Sequence, residues 1–430
     1  MRYEPVSSQL FIENRKKLIN KIKPNSIVFV AGNVHMPDSA DAFHPWRQHP
    51  DLFYLTGIEQ EETFLFLFPD CPAAELREVL FIRQPNELLE TWEGRKLTRQ
   101  QASEMSGISE IRWSSDAFAV LFSMMHLAEN VYLNTNEHDR ASLEVLSNEY
   151  IVAEKIKKKF PLHHYERLAP VMGELRVQKS ALEIELMKKA IDITAKAFHR
   201  ILKFVSPGVW EYEVEAEITH EYLRNRATRH AYEPIIASGE NACFLHYNVN
   251  NARCNYGDLL LIDTGAEYAN YCADLTRTIP VNGRFTKRQK EIYCSVLNVL
   301  RGAVTLMRPG ISIYELNQQV AEMMERELVQ LNLISLSDLK KQDKEKPLYK
   351  KYFPHGIGHY LGLNTHDVGS RYAKIPEGAV LTCEPGIYIR EEKIGIRLEN
   401  NILVTKDGPV DLTADIPLEP EEIEELMQQR

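Results

Sequence analysis

Two stretches of the chain, far apart in sequence, each have the pattern of a β-hairpin that carries a pair of carboxylates. In the first, residues 258–280, an apolar segment ending at Asp263 is joined by a short polar link to a second strand. A turn centred between Tyr268 and Ala269 sets Asp263 directly opposite Asp274, where Cβ atoms are about 4.5–5.5 Å apart. Two carboxylates this close repel each other unless a proton or a metal ion lies between them.

The second stretch, residues 384–399, repeats this arrangement. A turn centred between Glu391 and Glu392 sets Glu384 opposite Glu399, so that this hairpin also presents an inward carboxylate pair. Between the two hairpins in sequence lies a glycine-rich segment, HGIGHYLG, which supplies imidazoles from a backbone that can approach a ligand closely.

Four carboxylates and one histidine form a ligand set suited to two hard or borderline divalent cations. The alternative is that each acidic pair lies on a solvated face, as a single pair across a hairpin usually does. Asp263 and Glu384 each follow an apolar strand, and burial of an unpaired charge is costly. The sequence therefore favours a metal centre over two solvated pairs.

The chain length of 430 residues predicts two domains, because it exceeds one ordinary hydrophobic core. Strands alternating with helices in residues 1–174 predict an α/β domain. A long amphipathic helix follows over Lys179–Phe204, and Ser180 with Glu183 has the pattern of a capping box at its start. Residues 175–430 are therefore expected to form the second domain, which contains both candidate hairpins.

Composition excludes several classes of function. The net charge of −10 argues against nucleic acid as the main partner. No apolar run has the length of a signal peptide or of a membrane span, so no membrane partner is expected. The six cysteines include no CxxC pair and do not suggest a disulfide framework, which favours a reducing, cytoplasmic compartment.

Two further side chains stand out by position. His246 lies just before the first hairpin, close enough in sequence to the aspartates to be an outer partner of a metal ligand rather than only structural. Trp92 lies in the polar stretch ETWEGRKLT. It either packs locally or contacts another subunit or a substrate.

Several motifs resemble the metallopeptidase family with the pita-bread fold: HGIGHYLGLNTHDVG (355–369), LTCEPGIYI (381–389), GIRLENN (395–401) and LIDTGAEYANYCADLTRT (261–278). The resemblance implies an α+β protein with a C-terminal pita-bread domain. The stretch RQHPDLFYLTG (47–57) is similar to the first domain of the aminopeptidase P and prolidase branch. It implies an α/β N-terminal domain of the creatinase and prolidase type.

The resemblance also implies a dinuclear metal centre. The family's ligands fall on five residues of this chain: Asp263, Asp274, His359, Glu384 and Glu399. In the family, Asp274 and Glu399 bridge the two ions, Asp263 holds one ion, and His359 with Glu384 holds the other. Manganese is the usual metal, with cobalt or zinc as possible occupants.

Three positions match the family's functional histidines around the substrate: His246, His355 and His366. Two more, Tyr388 and Arg397, match residues that connect the parts of the site. The implied reaction is hydrolysis of the bond before a proline by a hydroxide that bridges the two ions, with Glu384 taking up the proton of the water. His246 and His366 are expected to donate hydrogen bonds to the developing oxyanion. His355 is expected to flank the proline ring, and Tyr388 and Arg397 to tie the site together.

Three functions follow from the resemblance. The first is an Xaa-Pro aminopeptidase, which releases the N-terminal residue from peptides with proline in the second position. The second is a prolidase, which accepts only dipeptides. The third is a metal-free binding module with the same fold, which the retention of all five ligands disfavours. A homodimer or homotetramer is expected, with contacts from the N-terminal domain and with Trp92 reaching a neighbouring site.

Overall fold

The structure is a computed structural model that describes residues 2–141 and 144–429. It divides into two compact units. One unit contains residues 5–176, and the other contains residues 177–429 together with residues 2–4. Among the described residues, no helix combines the length and the apolar character needed to cross a membrane.

The unit of residues 5–176 is a mixed sheet with helices. Its helices are α1 (Ser8–Ile19), α2 (Pro50–Thr56), α3 (Glu87–Glu93), α4 (Arg99–Ser106), α5 (Ala117–Met125), α6 (Asn148–Lys159) and α7 (Leu168–Val177). Its strands are β1 (Ser26–Ala31), β2 (Phe64–Leu67), β3 (Glu78–Ile82), β4 (Glu110–Trp113), β5 (Asn130–Leu133) and β6 (His164–Arg167). The strand order is β4-β3-β2-β1-β5-β6, with β2 antiparallel to both neighbours and the other pairs parallel.

The core of this unit explains why the sheet forms. Strand β1, SIVFVA, is buried along its whole length, as expected for a central strand that is covered on both faces. Phe29, Phe66 and Phe81 lie on neighbouring strands and pack in one apolar cluster with residues of α5 and α6. The predicted α/β architecture of the N-terminal region is confirmed.

The second unit contains the two hairpins. Its helices are α8 (Ala181–Phe204), α9 (Glu211–Arg224), α10 (Lys287–Leu306), α11 (Ile313–Gln330), α12 (Leu336–Leu339) and α13 (Pro420–Gln428). Its strands are β7 (Arg229–His230), β8 (Ile235–Ser238), β9 (Leu259–Asp263), β10 (Ala266–Tyr268), β11 (Tyr271–Cys272), β12 (Thr276–Pro280), β13 (Val380–Cys383), β14 (Gly386–Ile389), β15 (Ile394–Arg397), β16 (Asn400–Thr405) and β17 (Gly408–Asp411). Two long helices followed by a hairpin occur twice in this order.

We call β9–β12 the first hairpin and β13–β16 the second hairpin. Strands β7 and β8 extend the first hairpin, and β17 extends the second. Each hairpin is backed by its own helix, since α8 contacts β10 and β11 whereas α10 contacts β13, β14 and β15.

Capping boxes begin three of these helices. The predicted box at Ser180 and Glu183 is present: the Ser180 side chain accepts a hydrogen bond from the Glu183 backbone, and Glu183 accepts one from the Ser180 backbone. Helices α10 and α11 begin in the same way, at Thr286 and Ser312. Because this arrangement satisfies N–H groups that the helix cannot bond internally, it defines where each helix starts.

Candidate metal centre

The register of the first hairpin differs from the predicted one. Asp263 pairs with Thr276, so the predicted direct opposition of Asp263 and Asp274 is wrong by two residues. Ala269 and Asn270 form the turn, and their φ values of 49° and 64° are positive, as both central residues of a type I′ turn require. Because the slip is an even number of residues, Asp274 keeps the predicted face and lies diagonal to Asp263.

The register of the second hairpin is the predicted one. Strand β13 pairs with β16 and strand β14 pairs with β15 in a single continuous register, which sets Glu384 directly opposite Glu399. The hairpin closes through a 3₁₀ turn at Arg390–Glu392, followed by Lys393 with a φ of 56°.

Carboxylates from both hairpins meet an imidazole from the glycine-rich segment. Asp274, His359 and Glu399 each offer a ligand atom, and these atoms lie within 4.8 Å of one another. Nε2 of His359 lies 3.5 Å from Oδ2 of Asp274 and 3.6 Å from Oε1 of Glu384. Four of the five side chains predicted as ligands therefore converge directly.

Tyr232 connects the fifth, Asp263, to this group. Its hydroxyl oxygen lies 2.5 Å from Oδ1 of Asp263 and 2.6 Å from Oδ1 of Asp274. Burial and the nearby carboxylates raise the pKa of Tyr232 well above its ordinary value. Its single proton can be donated to only one of the two oxygens, so the close approach of both calls for a second proton or a cation.

The sequence did not single out Tyr232, although one signal was available. Tyr232 lies three residues before β8, the strand that pairs with β9. An aromatic hydroxyl at the entry of a strand that neighbours Asp263 was a candidate partner for that carboxylate.

Hydrogen bonds join the two hairpins at the acidic residues. The hydroxyl of Thr276 donates to Oε2 of Glu399 over 2.7 Å, and the backbone N–H of Glu399 donates to the Thr276 carbonyl over 3.0 Å. The Asn401 side chain donates to the carbonyl of Asp274 and accepts from its N–H over 3.3 Å. These bonds hold Glu399 and Asp274 near each other. Of their four carboxylate oxygens, these bonds engage only Oε2 of Glu399.

The glycine-rich segment is held against the second hairpin. The N–H of His359 donates to Oγ1 of Thr382 over 3.0 Å, and the N–H of Thr382 donates to the carbonyl of His359 over 2.9 Å. An added Cβ at Gly358 would lie 2.0 Å from the carbonyl oxygen of Thr382, so only glycine permits this approach. Nδ1 of His359 lies 3.0 Å from the carbonyl of Tyr360, which leaves Nε2 for the acidic group.

A buried network lies beside the carboxylates. Arg397 donates to Oδ2 of Asp263 over 2.5 Å and to the hydroxyl of Tyr388 over 2.9 Å. The Tyr388 hydroxyl lies 2.8 Å from Nε2 of His355. Burial, with the charges of Arg397 and His246, lowers the pKa of His355 to about 3. His355 is therefore neutral at neutral pH.

The carboxylates carry more negative charge than their protein partners balance. Burial raises the pKa of Asp263, although Arg397 opposes the shift. Burial raises the pKa of Glu384 to about 7. It also raises the pKa of Glu399 well above its ordinary value, and the charges of Asp274 and Glu384 act in the same direction. Bound cations would relieve this repulsion, so the residues fit divalent ions.

The remaining predicted residues lie in different places. The rings of His366 and His359 are perpendicular, with centroids 4.4 Å apart. His246 is exposed, and its electrostatic interaction with His355 contributes to the lowered pKa of His355. Trp92 belongs to the other unit, on α3, and is 81% exposed. Because the Trp92 side chain is largely exposed among the described residues, the alternative that it packs locally is wrong.

Comparisons with known proteins found similarity over both parts of the chain. Residues 185–406 match metallopeptidase family M24, and residues 11–132 match the aminopeptidase P N-terminal domain. The chain is 36% identical to an Xaa-Pro aminopeptidase of Escherichia coli, with 98% of each chain covered. It is 35% identical to an Xaa-Pro aminopeptidase of Haemophilus influenzae, with 97% of this chain and 96% of the relative covered. The structure of zinc-substituted Escherichia coli aminopeptidase P with product superposes with a TM-score of 0.87 at 35% identity, and covers 99% of both chains.

Proposed function

The chain belongs to metallopeptidase family M24, and from that premise we propose that it acts as an Xaa-Pro aminopeptidase. It is a metal-dependent hydrolase that removes the N-terminal residue from peptides with proline in the second position. The observation that carries this function is the convergence of Asp274, His359 and Glu399 in a chain that resembles Xaa-Pro aminopeptidases over almost its whole length. The prolidase alternative is not favoured.

The enzyme uses divalent metal ions, and five side chains would hold a pair of them: Asp263, Asp274, His359, Glu384 and Glu399. Eight carboxylate oxygens and one imidazole favour a hard or borderline ion, which supports manganese over cobalt or zinc. When bound, such ions acidify a water molecule and polarise the carbonyl of the bond to be cleaved.

The other residues of the site bind and orient the peptide. Glu384 takes up the proton of the attacking water, because its carboxylate is the more exposed member of the pair formed with Glu399. His246 and His366 donate hydrogen bonds to the carbonyl oxygen, on which negative charge develops. His355, which is neutral and packed edge-on against Phe353, flanks the proline ring.

Arg397 and Tyr388 hold this arrangement together. Arg397 supplies the positive charge nearest to Asp263, with 2.5 Å between the groups. Tyr388 connects Arg397 to His355 through its hydroxyl. The two residues therefore couple the position of a metal ligand to the position of a substrate-contacting ring.

The N-terminal domain, residues 1–174, supplies contacts between subunits in a homodimer or homotetramer, and residues 175–430 carry the catalysis. The exposure of Trp92 supports this assignment, because a large exposed aromatic side chain is typical of an interface. We assign Trp92 to the rim of a neighbouring subunit's substrate site. All six cysteines are free, which supports a reducing, cytoplasmic compartment.

The test is a peptide-length series with manganese. The purified chain is offered Arg-Pro-Pro and Gly-Pro, and release of the N-terminal residue is measured with and without a chelator. Cleavage of Arg-Pro-Pro that the chelator abolishes is expected. Cleavage of Gly-Pro alone would instead identify a prolidase, and a chain that binds no divalent ion after manganese addition would be a binding module.

A further inference from the structure

Glu211, the first residue of α9, is a fully buried carboxylate that accepts four hydrogen bonds. Oε1 accepts from the N–H of Ser238 over 2.7 Å and from the side chain of Asn241 over 3.1 Å. Oε2 accepts from the hydroxyl of Tyr247 and from the N–H of Ala252, both over 2.8 Å. These donors use all the acceptor sites of a carboxylate, and within the described residues Glu211 forms no ion pair.

All four donors belong to residues 238–252, which we call the His246 segment. This segment has little regular structure beyond a 3₁₀ turn at Gly239–Cys243. Its backbone conformation therefore depends on bonds to other elements, and Glu211 supplies bonds at its start, its middle and its end. The N–H of Glu211 also donates to the carbonyl of Ala252 over 3.0 Å.

The opposite side of the His246 segment lies on the second hairpin. Leu245 and Tyr247, which flank His246, pack against an apolar cluster that joins Tyr388 of the second hairpin to residues of β8 and β9. An added Cβ at Gly395 would lie 2.1 Å from the carbonyl oxygen of Ala242. The segment is thus held between Glu211 and the hairpin that carries Glu384 and Glu399.

A capping role for α9 does not explain Glu211. The side chain that bonds the start of α9 is that of Glu213, which accepts from the N–H of Trp210 over 2.7 Å. Every hydrogen bond of the Glu211 carboxylate instead leaves the helix. A buried carboxylate without a cation is costly unless its oxygens are fully hydrogen-bonded, so the four bonds are the reason that it can lie here.

We propose that Glu211 is a positioning residue that holds His246 in the orientation from which it contacts the substrate. This inference rests on the proposed function of His246. Glu211 acts on turnover through the His246 segment and touches none of the five metal ligands. A glutamine at this position presents one oxygen and two amide hydrogens to four donors, so it leaves two donors facing its own N–H groups.

The test is a double-mutant cycle on the full-length, manganese-loaded chain. Glu211→Gln, His246→Ala and the double variant are compared with the unaltered chain for kcat and KM with Arg-Pro-Pro, and bound manganese is measured in each. A displacement of the segment by about 1 Å predicts a fall of up to about 100-fold in kcat for Glu211→Gln. In the His246→Ala background the same change should alter kcat by no more than about twofold. Manganese content should stay constant.

Glu183→Gln is the matched control. Glu183 is also a buried carboxylate of this unit, bonded to the N–H of Ser180 and to Tyr271, and it has no bond to the His246 segment. Its effect on kcat should be the same factor with and without His246. If Glu211→Gln also lowers kcat by one factor in both backgrounds, its role is general stability and the proposal is overturned.

A second variant covers the case in which Glu211→Gln does not fold. Tyr247→Phe removes one of the four donors without changing the shape of the ring. A fall in kcat that disappears in the His246→Ala background supports the proposal, and no fall, or an equal fall in both backgrounds, overturns it. Failure of the unaltered chain to cleave Arg-Pro-Pro would contradict the proposed function instead.

Discussion

The first hairpin closes through the two-residue turn of Ala269 and Asn270, whereas the second closes through the 3₁₀ turn at Arg390–Glu392. The tight turn shifts the first register so that its two aspartates lie diagonally, while Glu384 and Glu399 lie directly opposite each other. Both pairs nevertheless face the same centre. The centre therefore requires the correct face of each hairpin and tolerates a two-residue difference in register.

The two hairpins also differ in how their carboxylates are compensated. Asp263, on the first hairpin, has the guanidinium of Arg397 at 2.5 Å. Glu399, on the second, has the neutral hydroxyl of Thr276 at 2.7 Å. The second hairpin therefore depends more on bound cations for charge balance, because a hydroxyl contributes one hydrogen bond and no charge.

Loss of an acid that touches both hairpins should have the largest effect. Asp274→Ala removes a carboxylate within reach of His359 and Tyr232. We expect activity to be abolished and bound metal to be lost. The fall in metal affinity should exceed the factor of about 10 to 100 that results when an outer partner of a metal ligand is removed. Steady-state kinetics and metal analysis check this. His246→Ala is the control, since it should cut turnover more than metal content, and equal metal loss in both variants would make His246 a ligand.

Addition of a methyl group at Gly265, inside the first hairpin, should destabilise the end of the hairpin that carries the aspartates. An added Cβ at Gly265 would lie 1.8 Å from the carbonyl oxygen of Ala273, within the same hairpin. We expect Gly265→Ala to destabilise the chain by about 3 kcal/mol, the upper part of the usual range for overpacking, and to reduce manganese binding. Urea unfolding with and without manganese measures both. Gly173→Ala, where no atom lies within 4 Å of the added Cβ, should not destabilise.

The corresponding change in the second hairpin should separate turnover from metal binding. Gly395→Ala places a Cβ against the carbonyl of Ala242, outside the hairpin. The ladder between β14 and β15 can persist while the segment that carries His246 is displaced. We expect kcat to fall more than manganese content does, in contrast to Gly265→Ala. If the two glycine variants lose manganese equally, the proposed difference between the hairpins does not hold.

Removal of the hydroxyl that links the hairpins should weaken metal binding moderately. Thr276→Val leaves Oε2 of Glu399 without its 2.7 Å donor. We expect an about 10- to 100-fold loss of manganese affinity, as for other outer partners of metal ligands. Calorimetric titration of the metal-free chain measures it. Thr382→Val is the comparison on the second hairpin. Its hydroxyl accepts from the N–H of His359 over 3.0 Å and donates to Glu384 over 3.4 Å, so we expect a loss of similar size.

The smallest effect concerns the pH dependence of stability. His230, on β7, pairs with Ala266 of the first hairpin, and burial lowers its pKa from 6.5 to about 4. Protonation of His230 therefore favours the unfolded chain. The contribution of neutral His230 to stability is fully present above pH 6.5 and decreases as the pH falls below that value. The free energy of unfolding of His230→Gln minus that of the unaltered chain should therefore be about 2 kcal/mol larger at pH 5 than at pH 7.5. Urea unfolding at both pH values checks this, and an equal difference at the two would contradict it.

The register of the first hairpin shows where sequence reasoning fails. Type I′ turns are signalled by Asn-Gly or Asp-Gly, because both central residues need positive φ. Here the first central residue is Ala269, and alanine rarely adopts that conformation, so the sequence carries no local signal for this turn. The inward face was still predicted correctly, because side chains alternate with a period of two and the error was an even number.

The amino-acid sequence by itself determined the two-domain α+β architecture, the two acidic hairpins and, by resemblance, the identity of the family. Those features depend on local periodicity and on motifs that lie within single stretches of chain. Only the tertiary structure revealed Tyr232 between the aspartates, Thr276 between the hairpins and Glu211 beneath the His246 segment. The bonding partners of these residues are dozens of residues away in sequence in most cases, and packing of distant segments, rather than any local pattern, brings such groups within hydrogen-bonding distance.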